Sequence, residues 1–131
     1  MAQQQVDFTL GWRRLAEAAA GDEARLQALF AEAPPLRAWL ERWRQRCASE
    51  PAAASPPERA ARMRRVNPWI IARNHRVEEA LEAATEHEDL VPFEQLLSAV
   101  REPFDDNPAH AGYAEPAPAA VTARYQTFCG T

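Results

Sequence analysis

Between Pro35 and Ser49 the apolar residues Leu36, Trp39, Leu40, Trp43 and Cys47 recur at i, i+3, i+4, i+7 and i+11, with Arg and Glu between them. That spacing fits one face of an α-helix and cannot face one side of a strand, whose period is two. The same period recurs along the chain. "DFTLGWRRLAEAAAGD" opens on Asp7 as an N-cap, sets Phe8, Trp12, Leu15 and Ala19 on one face and stops at Gly21. "DEARLQALFAEA" starts at Asp22 and carries Leu26, Leu29 and Phe30 until Pro34-Pro35 interrupts it. "PERAARMRRV" reads as a short basic helix. "NPWIIARNHRVEEALEAATEHED" reads as a helix with Asn67 as N-cap and Pro68 at its first position, its later face formed by Val77, Ala80, Leu81 and Ala84. In "DLVPFEQLLSAVRE" the stripe is Phe93, Leu96, Leu97 and Val100. No strand alternation appears, and no repeat of solenoid length.

The pattern predicts an all-α fold, a helical bundle of about six helices with an irregular, proline-rich C-terminal tail. Its helical domain spans residues 1–102. A linker lies near 49–57, where "SEPAAASPPE" holds three prolines among small residues. The tail, 103–131, has four prolines and no sustained period. At 131 residues the chain can bury a single core. No apolar run reaches the roughly 20 residues of a membrane span. The first residues lack the basic and apolar regions of a secretory signal. Two cysteines are too few for a disulfide scaffold, so the expected location is cytoplasmic.

Charge narrows the function classes. The net charge of −4 argues against a nucleic-acid partner. All 15 basic residues are Arg and none is Lys. No site in this chain can use the lysine of P-loop or kinase-type phosphate binding, or form a Schiff base. The four glycines are scattered and build no phosphate loop. His75, His87 and His110 have no metal-ligand spacing, so no metal site is expected. Arg59, Arg62, Arg64, Arg65, Arg73 and Arg76 crowd into eighteen residues. Arg62, Arg65, Arg73 and Arg76 form a candidate anion patch; the simpler account is ion pairing, as between Arg76 and Glu79 at i, i+3. Trp39 and Trp43 offer stacking faces, but their spacing fits core positions better. Cys47, on the stripe, reads as a buried small hydrophobe. Cys129 differs, because it stands near the end of the polar tail as a candidate reactive thiol. No catalytic residue set emerges from these residues.

Several stretches together resemble the selenoprotein O family. "VDFTLGWRRLA" is similar to its aspartate-aromatic-threonine segment. "NPWIIARNHRVEEAL" is similar to its "NP-x-x-I-x-RNH-x-VE-x-AL" block, through Asn67, Pro68, Ile71, Arg73, Asn74, His75, Val77, Glu78, Ala80 and Leu81. "LLSAVREPF" resembles a further block, with Val100 in its last apolar slot, and "YAEPAP" and "YQTFCGT" resemble the closing segment. The order and spacing of these pieces agree over nearly the whole chain.

The resemblance implies a kinase-like enzyme that transfers AMP from ATP to hydroxyl groups of proteins, with divalent metal. ATP and Mg are thus expected for the full-length family, bound in a longer region upstream. This chain is expected to be the helical C-terminal portion, inactive alone, with the upstream kinase-like domain of the same polypeptide and protein substrates as partners. No catalytic residue carries over. Animal members have selenocysteine near the C-terminus and many bacterial members cysteine; Cys129 matches that place, which implies a redox thiol on a tail. The alternative reading is a free-standing helical protein-interaction module.

Overall fold

The computed structural model describes residues 6–50 and 54–122. All regular structure among them is helical. The elements are α1 (Phe8–Ala19), α2 (Ala24–Gln27), α3 (Ala33–Ala48), α4 (Pro56–Val66), α5 (Asn74–Glu86), α6 (Val91–Arg101), a 3-10 turn at Pro108–His110, α7 (Ala111–Ala114) and α8 (Ala119–Thr122). The predicted all-α fold is therefore observed, as five long helices and several single turns. The chain divides between Trp69 and Ile70 into two compact units.

In the first unit Asp7 caps α1 as expected, its Oδ1 accepting the Leu10 N–H at 2.8 Å. α1 packs chiefly on α4 and α2. The core gathers Leu15, Ala18, Leu26, Leu36 and Leu40, with Trp12, Phe30, Trp43 and Met63 packed against it. α3 takes Pro34 and Pro35 into its first turn, where the missing N–H groups would have had no intrahelical partner. α4 likewise starts on Pro56-Pro57, so the predicted linker yields its last two residues to a helix. There Glu58 reaches back to Ser55, accepting from its N–H at 2.9 Å and its Oγ at 2.7 Å.

Four expectations are corrected in this unit and at its end. Only one turn of "DEARLQALFAEA" is α-helical; residues beyond Ala28 close i→i+3 turns instead, which still deliver Leu26 and Phe30 to the core. Phe8 is 67% exposed and forms a T-shaped pair with Trp12, with centroids 5.8 Å apart. Trp39 is 39% exposed and stacks at 6.1 Å on Trp43, which packs on the core, so Trp39 is a surface residue and not core. Asn67 does not cap a following helix; it ends α4. Pro68 is the cause, because its ring pushes the preceding residue into extended backbone, here φ −112°, ψ 111°. The Asn67 side chain then donates to the Met63 carbonyl at 2.9 Å, and α5 begins only at Asn74.

In the second unit α5 and α6 pack as an antiparallel pair through Ala80, Leu96 and Ala99, all buried. Ile70, 1% exposed, anchors the unit's start and donates its N–H to the Pro103 carbonyl at 3.1 Å. Asp89 Oδ1 accepts the Val91 N–H at 2.9 Å at the head of α6. Among the described residues after Pro103 the elements are all short, as the composition predicts, but the two turns at 108–114 are anchored.

Candidate functional site

The RNH block builds a clamp in the second unit. A helix as short as α7 leaves nearly all its carbonyls without partners of its own. Two arginines from the start of α5 supply them. Arg73, 9% exposed, donates from Nη2 to the Ala114 carbonyl at 2.9 Å. Arg76 donates from Nη2 to the Gly112 carbonyl at 3.1 Å and from Nη1 to Glu79 at 2.8 Å. Its guanidinium also lies 6.0 Å from the Tyr113 ring centroid. Asn107 Oδ1 accepts the Ala109 N–H, which shapes the approach to buried His110. The arrangement fixes residues 110–114 against α5 and offers main-chain recognition rather than a nucleophile and base.

The first unit holds a second arginine device. Arg13 of α1 is 2% exposed and donates from Nη1 to the carbonyls of Arg64 at 3.0 Å and Asn67 at 3.1 Å. A buried cation thus closes the C-terminus of α4, where carbonyls and dipole both favour positive charge. Beside α1 and α3 opens a cavity of about 540 Å³, lined by Ala18, Gly21, Trp43, Cys47, Pro56 and Arg59 among others. Arg59 crosses it to the Cys47 carbonyl at 3.0 Å and Glu50 at 3.2 Å. Cys47 is a half-buried free thiol at this wall rather than a core residue.

Of the candidate anion patch, Arg62 and Arg65 lie exposed on α4 in the first unit, and Arg73 and Arg76 belong to the clamp in the second. Arg62 contributes to holding the Glu58 carboxyl below its usual range, after the two hydrogen bonds from Ser55. Cys129 lies outside the described residues. Among the described residues no three His, Cys, Asp or Glu side chains gather as a metal cage, and no helix is long and apolar enough to cross a membrane. Sequence reasoning missed Arg13 altogether. Its only signal was position, one residue after Trp12 on a helix whose burial proves nearly all-round.

No family model matches the chain. Curated relatives match it from end to end. The protein nucleotidyltransferase YdiU of Bradyrhizobium sp. (strain BTAi1) is 52% identical over 132 residues, covering all of this chain and 26% of the relative. Over its whole length the chain is similar to the C-terminal region of selenoprotein O family proteins. The protein nucleotidyltransferase YdiU of Rhizobium meliloti (strain 1021) is 50% identical over 133 residues and that of Chromobacterium violaceum 46% over 131, covering 26% and 27% of those relatives. The chain therefore spans about a quarter of the length of the curated selenoprotein O relatives it matches. The RNH block that suggested the family is the block that clamps α7.

Proposed function

We propose that this chain is the C-terminal helical region of a protein adenylyltransferase, which transfers AMP from ATP to protein hydroxyl groups, and that the nucleotide chemistry belongs to polypeptide outside it. The match at 52% identity over the whole chain, set against only 26% of the relative named a protein nucleotidyltransferase, carries this reading. The residue chemistry supports it. The chain offers no lysine for a phosphate, and two of its buried arginines, Arg13 and Arg73, are directed at main-chain carbonyls. ATP and Mg would be bound by the kinase-like portion, which would be this region's partner along with the protein substrates. The same reading places the protein in the cytoplasm and gives Cys129 the role of a redox thiol, with Arg62 and Arg65 open to an anionic partner.

Calorimetric titration of this chain with ATP and magnesium tests the division of labour. No heat of binding is expected, and micromolar binding would overturn it. Adding the chain to the remaining portion of a relative should restore AMP transfer to a protein acceptor. A second reading, a free-standing interaction module, is favoured by one feature, the open apolar groove of the α5–α6 pair.

A further inference from the structure

The net charge of −4, which argues against a nucleic-acid partner for the chain as a whole, averages two unlike units. The first, Met1–Trp69, holds 11 Arg against eight Asp or Glu; the second, Ile70–Thr131, holds four Arg against 11. Within the first unit α3 carries Arg37, Arg42, Arg44 and Arg46 against Glu41 alone. Arg44 pairs with Glu23. Arg42 and Arg46 are exposed, and neither makes an ion pair among the described residues.

These two arginines line up with the tryptophan pair. Trp39, Arg42, Trp43 and Arg46 recur at i, i+3, i+4 and i+7, which puts all four on one flank of α3. Buried Leu36 and Leu40 mark the side that meets the core, and the flank borders it. Trp43 packs onto that core while Trp39 is 39% exposed. Glu41 stands about 200° around the helix from Trp39, so no acidic side chain within α3 shares the flank. The two indoles are nearly parallel, with an interplanar angle of 8° and centroids 6.1 Å apart, so the stack ends on a ring that water reaches. Trp43 also borders a cavity of about 290 Å³ whose lining includes Trp12, Arg59 and Asn67.

A flat aromatic stack ending in solvent, with two unengaged guanidiniums along the same flank, matches the chemistry of one polymer. Every nucleobase has a π-face that can extend the stack whatever its identity, and backbone phosphates accept paired hydrogen bonds from Arg. A duplex hides its base faces, and an acidic peptide brings charge without a planar group for the stack. We propose that this flank of α3 binds single-stranded nucleic acid without sequence preference. A base stacks on Trp39, and neighbouring phosphates are held by Arg42 and Arg46. The inference goes beyond the proposed enzyme role and does not depend on it.

The test is fluorescence anisotropy of a labelled oligouridylate of about 12 nucleotides titrated with the full chain. Binding is expected at low salt with a Kd of roughly 1–100 μM. With two phosphates neutralised, affinity should fall roughly sevenfold between about 50 and 200 mM salt. Binding should also quench tryptophan emission. Trp39→Ala should weaken binding about tenfold and abolish the quench while the salt dependence stays, and Trp39→Phe should recover most of the affinity. Arg42→Gln combined with Arg46→Gln should weaken binding and flatten its salt dependence. Circular dichroism checks that these surface variants stay folded. No binding at about 0.1 mM oligonucleotide, or a Trp39→Ala variant that binds as the parent does, would overturn the inference. Polyglutamate of matched charge binding as tightly, with the same dependence on Trp39, would assign the flank to an acidic protein and so overturn it too.

Discussion

Replacing Arg13 by Met removes a buried cation while nearly preserving its volume. The side chain is 2% exposed and bridges two carbonyls at the C-terminus of α4, those of Arg64 and Asn67. Hydrogen bonds from a charged donor contribute about 1.5–3 kcal/mol each, and a buried acceptor left unpaired costs about 1–3 kcal/mol. Against this, removing the charge also removes its desolvation penalty, which is why swapping a whole buried ion pair for apolar groups is often neutral. Here the swap is one-sided. The two carbonyls stay, because Pro68 ends α4 at that point and no later N–H of the helix can reach them. The net loss should therefore be about 2–4 kcal/mol. With a urea slope near 1.5 kcal/mol/M, the unfolding midpoint falls by roughly 1.3–2.7 M. Arg13→Lys keeps the charge but not the fork and should lose about half as much. Urea unfolding followed by Trp fluorescence measures both. A Met variant within about 0.5 kcal/mol of the parent would refute the reasoning, since it would mean the α4 carbonyls find other partners at no cost.

Further expectations concern the clamp, the stripe and one cap. Arg73→Met should leave α5 and α6 folded but speed amide exchange across 110–114, where the Ala114 carbonyl loses its donor; unchanged exchange there would mean the clamp holds nothing. Trp39→Ala should cost about 1–2 kcal/mol, the worth of a half-exposed stacked pair, whereas Leu40→Ala, at 1% exposure, should cost about 2–5 kcal/mol. Equal costs in denaturant melts would place Trp39 in the core after all. Glu58 accepts two hydrogen bonds from Ser55, which with Arg62 hold its carboxyl below the usual value of 4.5. A carboxylate lowered on folding stabilises above its unfolded pKa, and that contribution disappears as pH falls through the lower folded value. Helicity of α4 should thus fray on acidification below the ordinary Glu range, and Ser55→Ala should return the Glu58 titration, read by NMR, toward 4.5.

Local chemistry was readable without coordinates. Asp7 at the head of α1 and the stripes Leu36–Leu40 and Leu96–Val100 act through neighbours three or four residues away, and the sequence lists those neighbours in order. The RNH block was visible as a resemblance, but its work was not. Arg73 meets Ala114 across 41 positions, and no periodicity encodes that distance. Composition cannot separate an arginine offered to an anion from one closing a helix end, because both demand the same guanidinium.

By itself, then, the sequence determined an all-helical chain, the capped start of α1, and the lack of a lysine-based phosphate site. Tertiary structure decided which face of each helix meets a neighbour: that Trp39 reaches the surface and that Arg13 goes inside. The physical reason is that helix propensity and capping depend on adjacent residues. Burial depends on which other segment supplies the missing hydrogen-bond partners and apolar area, and that is settled only when the segments meet.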